Sequence, residues 1–300
     1  MRPGYSLALS AFALLCWLAF LLTFRPLKKK APASLLFLIL GPVLGILFGK
    51  ALYLIVRIVS VLVEGGGLML DPSWLPIEAE QMTFYGTGAG ICVAVAVSCR
   101  CFGIAPKEGL DHFAVFGAIY LGLARCCSLV LSQDMIGLGM QLEEPERLPA
   151  FLTYVNEWSE GYLRVFLLEA LAAFIIAGCS FAFFRKDRFV RTLFWICLAQ
   201  VLLENLHSDS LTWFFFLRVE QLLCAITVLV LLIRSGVRLK KAWPTVAGVA
   251  GIGLLVFVIW AMDKSDLPMG LLYGLMAAAL AGMGVAECLC ARLTRKTANT

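Results

Sequence analysis

Charge is scarce in this 300-residue chain. Asp, Glu, Lys and Arg make up 15% of the sequence and hydrophobic residues 61%, whereas a soluble domain carries about 25% charged and about 45–50% apolar residues. A soluble globular domain is thereby excluded. With a mean hydropathy of +0.90, the chain reads as an integral membrane protein. Histidine is rarer still, at two residues, and neither Cys99/Cys101 nor Cys288/Cys290 has His or Cys partners at zinc-site spacing. Most of the eleven cysteines, among them Cys16, Cys92, Cys179, Cys197 and Cys224, stand singly in apolar runs. There a thiol behaves as a small hydrophobe. No disulfide framework, metal or cofactor is expected. Internal repeats are lacking too, which counts against the paired inverted halves of a transporter.

A cleavable leader is also missing from the expected pattern. The first apolar run, Tyr5 to Phe24, has only Arg2 before it and a basic flank (Arg25, Lys28, Lys29, Lys30) after it, the reverse of a signal peptide. It is kept as a span. A bilayer core about 30 Å thick needs about 20 apolar residues per helix, and on that ruler nine spans are expected, at 5–24, 33–60, 84–99, 111–132, 163–184, 189–206, 212–233, 244–262 and 269–291. Basic residues cluster after the odd-numbered spans, while the alternate loops are acidic or neutral. By the positive-inside rule the N-terminus is expected outside and the C-terminus inside. The net charge of +5 then serves topology and anionic lipid headgroups, and no nucleic-acid partner is expected. Spans eight and nine follow a basic linker, VRLKKAW, and are Gly- and Ala-rich. They read as an appended hairpin, 237–300, beside a core domain, 1–236. The outer segments 64–83 and 133–162 carry Trp74, Tyr154 and Trp158 and suit short interfacial helices.

An ionisable side chain in the hydrocarbon region costs about 2.5–3.5 kcal/mol on insertion scales, so each one marks a site or a paired structural role. Lys50 and Arg57 lie in span two, Arg125 in span four, Glu169 in span five, Gln200 and Glu204 in span six, and Arg218, Glu220 and Gln221 in span seven. Arg57, Glu204 and Arg218 are near the outer ends, where a long side chain snorkels or pairs. Arg125 is deeper: counted from Asp111 at the inner boundary it stands about 21 Å up the helix. Its guanidinium has two natural employments. It pairs with a carboxylate such as Glu169 or Glu204, or it binds a phosphate, and its depth favours a lipid phosphate.

The order of these residues resembles the prolipoprotein diacylglyceryl transferase family. In that family the fourth helix opens with an Asp and reaches Gly-Arg-x-Gly-Asn, then Asn-Gly-Glu. Here Asp111 opens it and GLARCCSLVLSQ carries Arg125. EQMTFYGTGAG resembles the Ser-Phe-His-Gly-Gly stretch of the third helix, VFLLEALAAFIIAG the Gln-Leu-Tyr-Glu helix with Glu169, QVLLENLH the Arg-Phe-x-x-Glu-x-x-Arg motif with Glu204, and RVEQLLCAI the Met-Gly-Gln-x-Leu-Ser motif with Gln221. Tyr85 stands where the family has histidine, Ser128 where it has asparagine, Gln133 where it has glutamate, and Gln200 and His207 where it has the two arginines of the sixth helix. The similarity covers about residues 5–233.

The resemblance implies an all-α polytopic bundle in the bacterial plasma membrane. It also implies transfer of a diacylglyceryl group from phosphatidylglycerol, or a similar anionic phospholipid, to the lipobox cysteine of a prolipoprotein signal peptide. Arg125 is then the phosphate clamp, with Glu204 and Gln221 orienting it or the glycerol hydroxyls, and Ser128, Glu169 and Gln200 lining the substrate. Tyr85 serves as a hydrogen-bond donor. His207 is a substitute base, against the competing reading of an exposed loop histidine. Cys126 and Cys127 lack a nearby His in sequence and read as packing. Two rival readings stand beside the enzyme: a scaffold that binds lipid or lipoprotein without catalysis, and, last, a transporter.

Overall fold

The computed structural model describes residues 3–28, 31–63, 74–76, 83–130, 138–207, 213–214, 217–264 and 267–297. Helices dominate it in this order: α1 (Pro3–Thr23), α2 (Arg25–Lys28), α3 (Ala31–Val63), α4 (Phe84–Cys101), α5 (Pro106–Cys127), α6 (Val165–Ala182), α7 (Arg188–Leu203), α8 (Val219–Leu239), α9 (Trp243–Lys264) and α10 (Met269–Thr297). Among the described residues eight helices, α3 to α10, are long and apolar enough to cross a membrane, and α1 adds a shorter apolar helix, Leu7–Thr23. Eight of the nine expected spans thus have helices of membrane-crossing length, and the first falls on the shorter apolar helix. Leucine, isoleucine and valine side chains stand exposed along α1 (Leu14, Leu15, Leu22), α3 (Leu35, Ile39, Leu47, Ile55) and α6 (Leu171, Ile175). In water such a surface is a liability. Against lipid tails it is the ordinary exterior of an all-α polytopic membrane bundle.

The chain divides into two compact units, Met1–Leu193 with Leu206–Thr212, and Phe194–Asn205 with Trp213–Thr300.

In the first unit α3 and α4 pack backbone to backbone through glycines spaced four apart, Gly86 and Gly90 on α4 against Gly45 and Gly49 on α3. A Cβ on Gly86 would stand 2.6 Å from the Phe48 carbonyl oxygen, and one on Gly90 would strike the carbonyl of Leu44. Small residues at such spacing let helices approach where lipid gives no hydrophobic drive. Thr83 caps α4, its hydroxyl accepting from the Gly86 N–H at 3.2 Å. The core is aromatic: Phe20 of α1 meets Phe37 of α3 and Phe113 of α5 edge to face, at ring separations of 5.4 and 5.3 Å. His112, the other histidine, belongs to this core, stacked on Phe24 at 5.0 Å with Nε2 2.9 Å from the Thr23 hydroxyl.

Two boundaries differ from expectation. The fourth span starts at Pro106, so Asp111 lies more than a turn inside α5; its carboxylate accepts from the Phe189 N–H at 2.8 Å and caps α7 instead. The seventh span starts at Val219, because Trp213–Phe214 and Leu217–Arg218 pair as two short strands, β4 and β5. An aromatic run suits a strand pair better than a helix start.

The larger correction concerns 138–163, expected to hold interfacial helices. It forms a three-stranded antiparallel sheet of β1 (Gln141–Leu142), β2 (Thr153–Val155) and β3 (Gly161–Leu163), ordered β1-β3-β2. Thr-Tyr-Val and Gly-Tyr-Leu alternate side chains across a pleat, and Asn156 to Glu160 between them make the turn. Of the other outer segment, 64–83, the described residues are Trp74–Pro76, a turn of irregular and 3₁₀ structure, and the capping Thr83.

Packing in the second unit is also led by small residues. A Cβ on Gly284 of α10 would stand 2.7 Å from the Trp195 ring, and one on Gly251 of α9 2.7 Å from the Met283 side chain. Both mark close helix approach.

Candidate functional site

The site of the first unit is built at the end of the bundle where α5 finishes and α6 begins. Arg125 stands in the last turn of α5, two residues before its end, where the helix carbonyls favour a cation. Its guanidinium Nε lies 3.0 Å from Glu169 Oε2. Glu169 is the fifth residue of α6, and its side chain is 2% exposed. The two helices approach closely here, since a Cβ on Gly122 would stand 2.7 Å from the Phe174 ring. On its other flank the guanidinium carbon sits 4.9 Å from the centroid of the Phe84 ring, a cation–π contact at the start of α4.

The second oxygen of the same carboxylate, Oε1, lies 3.3 Å from His207 Nε2, so this N–H donates to it. The sheet brings His207 there. Gly139 and His207 form an antiparallel bridge, the Met140 N–H donates to the Leu206 carbonyl at 2.9 Å, and the Gly139 N–H donates to the Leu163 carbonyl at 2.6 Å. Residues 138–140 are thus threaded between β3 and the 206–207 backbone. Only glycine fits at 139, where a Cβ would stand 2.7 Å from the Leu206 carbonyl oxygen and 3.0 Å from that of Leu163. His207 is consequently buried, at 9% exposure. The exposed-histidine reading is overturned, because the 138–140 strand covers a ring that adjacency in sequence could not place.

Ser128 caps α5 and opens a 3₁₀ turn, Ser128–Val130, three residues past Arg125. Tyr85 lies half-buried in the first turn of α4, one residue beyond the Phe84 whose ring faces Arg125. Gln133 lies outside the described residues. Cys126 is half-buried and Cys127 buried, both as free thiols.

The remaining expected residues come together in the second unit. Gln200 Nε2 donates to Glu204 Oε2 at 3.0 Å, one helical turn apart. Arg218 donates to the backbone carbonyl of Glu204 and holds its Nη1 4.0 Å from the Glu204 carboxylate. Gln221 is buried at 2% exposure and donates to the Val201 carbonyl at 3.1 Å. Arg218 is therefore a pairing residue rather than a snorkelling one. Sequence reasoning missed Phe84 and Gly139. An aromatic residue beside an N-cap threonine carries no signal of a cation–π contact, and Gly139 is one of several glycines in a loop.

What the fold and site define is a multi-pass helical membrane protein with a half-buried arginine joined through a buried glutamate to a buried histidine at one end of its first unit. Comparison with protein-family models, curated proteins and solved structures finds no match.

Proposed function

We propose that this protein is a membrane-embedded transferase of the diacylglyceryl-transferase type, with phosphatidylglycerol or a similar anionic phospholipid as donor and a prolipoprotein cysteine as acceptor. The observation that carries the reading is the single carboxylate of Glu169 holding both a guanidinium and an imidazole. Thiol alkylation by a phospholipid needs both kinds of group. The thiol sulfur forms a bond to the glyceryl carbon while the carbon–oxygen bond to phosphate breaks, and glycerol phosphate leaves with the electron pair. A cation stabilises the charge gathering on the departing phosphate, and a base takes the thiol proton. Arg125 is the cation, its planar fork matched to phosphate oxygens. His207 is the base. With Nε2–H donated to Glu169, the basic lone pair falls on Nδ1. The order of Asp111, Arg125, Glu169, Glu204 and Gln221, which resembles the family's, supports the same reading. The alternation of basic and acidic loops, from which an outer position for this end of the bundle is expected, is consistent with it.

One observation favours the second reading, a scaffold that binds lipid or lipoprotein without turnover. Glu169 already faces the Arg125 guanidinium at 3.0 Å and offsets its charge. Purified protein incubated with phosphatidylglycerol and a fluorescent lipobox peptide separates the two. Release of glycerol phosphate with a lipid-shifted peptide, abolished by Arg125→Ala and His207→Ala, is the outcome expected of the enzyme. Phospholipid binding without release is the outcome of the scaffold. Growth of a strain depleted of its own transferase reads sufficiency in a cell.

A further inference from the structure

The hairpin of β2 and β3 displays an indole that the proposed chemistry does not use. Trp158, at its tip, is 82% exposed, while Phe151 near its base is 63% and Val155 on its edge 52% exposed. The tip is fastened. Asn156 Oδ1 accepts from the backbone N–H groups of Trp158 and Glu160 at 3.0 and 2.9 Å, and Asn156 Nδ2 donates to Glu160 Oε2 at 2.7 Å. The Tyr162 hydroxyl donates to that same oxygen at 3.0 Å, and Ser159 takes the left-handed backbone conformation, φ 63°, that closes the turn. A large aromatic side chain with two torsions, carried on a turn this well tied, loses little freedom when it is covered. An indole held out in this way is poised for an environment other than water.

We propose that the hairpin lies along the bilayer surface at the end where α6 begins and sets Trp158 among the lipid headgroup and glycerol atoms, with Phe151 and Val155 beside it. Continuity with the lipid-facing surface argues for this occupant. Arg164 is the one residue between β3 and α6, and it donates its backbone N–H to the Leu152 carbonyl at 2.8 Å and Nη1 to the Phe151 carbonyl at 3.2 Å. The base of the hairpin is thereby tied to the first turn of an apolar span whose exposed Leu171 and Ile175 face lipid. Tryptophan and tyrosine prefer the headgroup level over both bulk water and hydrocarbon. The hairpin reaches about 17 Å from Leu163 to Trp158 at about 3.3 Å per residue. The interfacial layer is only about 5–8 Å thick on one side, so the hairpin meets lipid by lying along the surface, not by standing upright. Glu143, Glu144, Glu146 and Glu157 are exposed on the same layer, so attraction to anionic lipid does not drive the contact. It is an apolar anchor, indifferent to salt.

The test compares full-length protein with Trp158→Phe in phosphatidylcholine vesicles, the difference between the two emission spectra being that of Trp158. An emission shifted to the blue of a free indole, quenched by phosphatidylcholine brominated on its acyl chains, shielded from iodide and unchanged by added salt, is the expected result. Iodide quenching as efficient as that of a soluble indole, with no effect of bromolipid, overturns the proposal. Shielding from iodide and bromolipid alike, with a doubled mass in light scattering, overturns it in favour of a second copy. Val155→Trp on the Trp158→Phe background gives an independent reporter on the same exposed edge, and its failure to respond to bromolipid counts against the proposal equally.

Discussion

Replacing Arg125 by methionine keeps most of the side-chain volume and strands the Glu169 carboxylate. Removing one member of a buried ion pair costs about 3–5 kcal/mol. Two features hold this case at the lower end. Arg125 is itself 20% exposed, and His207 remains on the other carboxylate oxygen, so about 3 kcal/mol is expected for Arg125→Met. At about 2 °C per kcal/mol for a chain of this size, that is a fall of about 6 °C in the thermal midpoint. Glu169→Leu takes the carboxylate from both the guanidinium and the buried His207 N–H, while the Phe84 ring and the open side of the site still stabilise the cation, and costs about 3 kcal/mol; the His207 part is common to this variant and the double one and cancels in the cycle. The double variant removes both charges and leaves an apolar pair, so its cost falls below the sum of the single costs by more than about 1 kcal/mol. Thermal unfolding in detergent, followed by intrinsic fluorescence, measures all three. Single costs that add to within about 0.5 kcal/mol would mean that the 3.0 Å contact carries no coupling, and the site would lose its central element.

Two further changes test the packing. A leucine at Gly90 of α4 drives its side chain into the Leu44 carbonyl of α3, and the cost exceeds the usual 1–3 kcal/mol of overpacking because a backbone, not a side chain, has to give; loss of the monodisperse peak in size-exclusion chromatography is expected. Gly88→Ala, two residues earlier with open space around its Cβ, leaves the peak intact and adds up to about 1 kcal/mol of helix propensity, a rise of up to about 2 °C in the midpoint. Lys240 ends α8 at φ 53°, ψ 39°, a conformation that costs a side-chain-bearing residue about 1 kcal/mol or more. Lys240→Gly is expected to raise the midpoint by about 2 °C, and an unchanged or lowered midpoint refutes the strain.

The helices were legible because the ruler for a span is coarse: about 20 apolar residues, checked by the sign of the loops between them, locate α1 and α3 to α10 in order. Ends were less legible wherever a local partner decided them. Asp111 reads as the start of a helix because it is the charge at the inner edge of an apolar run, where the resembled family opens its fourth helix with Asp; its partner, the Phe189 N–H, lies 78 residues away. In the outer segment 133–162, Trp and Tyr by composition suit interfacial helices. The period-two alternation of Thr153–Val155 and Gly161–Leu163 was the better signal, and it spans only three residues on each side. The 211–217 run hid its strand pair in the same way, since an aromatic stretch at a membrane boundary satisfies the helix ruler and the strand pattern together.

At the site, residue types were legible and their partners were not. Sequence offered Arg125 two carboxylates, Glu169 and Glu204, without a choice between them. The structure gives Arg125 to Glu169 and Arg218 to Glu204. The difference follows from backbone arrangement: Arg125 and Glu169 lie on two helices brought together at Gly122, while Arg218 is the N-cap of α8 and reaches the 3₁₀ turn that carries Glu204. His207 depended on something further still, the absence of a side chain at Gly139, which lets 138–140 pass over it. Glu169 is the residue on which these contacts converge. A carboxylate so deeply covered needs partners on both oxygens, and among those it has are a cation and an imidazole, the kinds of group that departure of glycerol phosphate and deprotonation of a thiol call for. The arrangement that stabilises the buried acid is thus the same one that orients the proposed base. Of the two readings of Arg125 that the sequence offers, the contact with Glu169 is the one the structure contains, and the phosphate contact is the part of the proposal that the turnover assay tests.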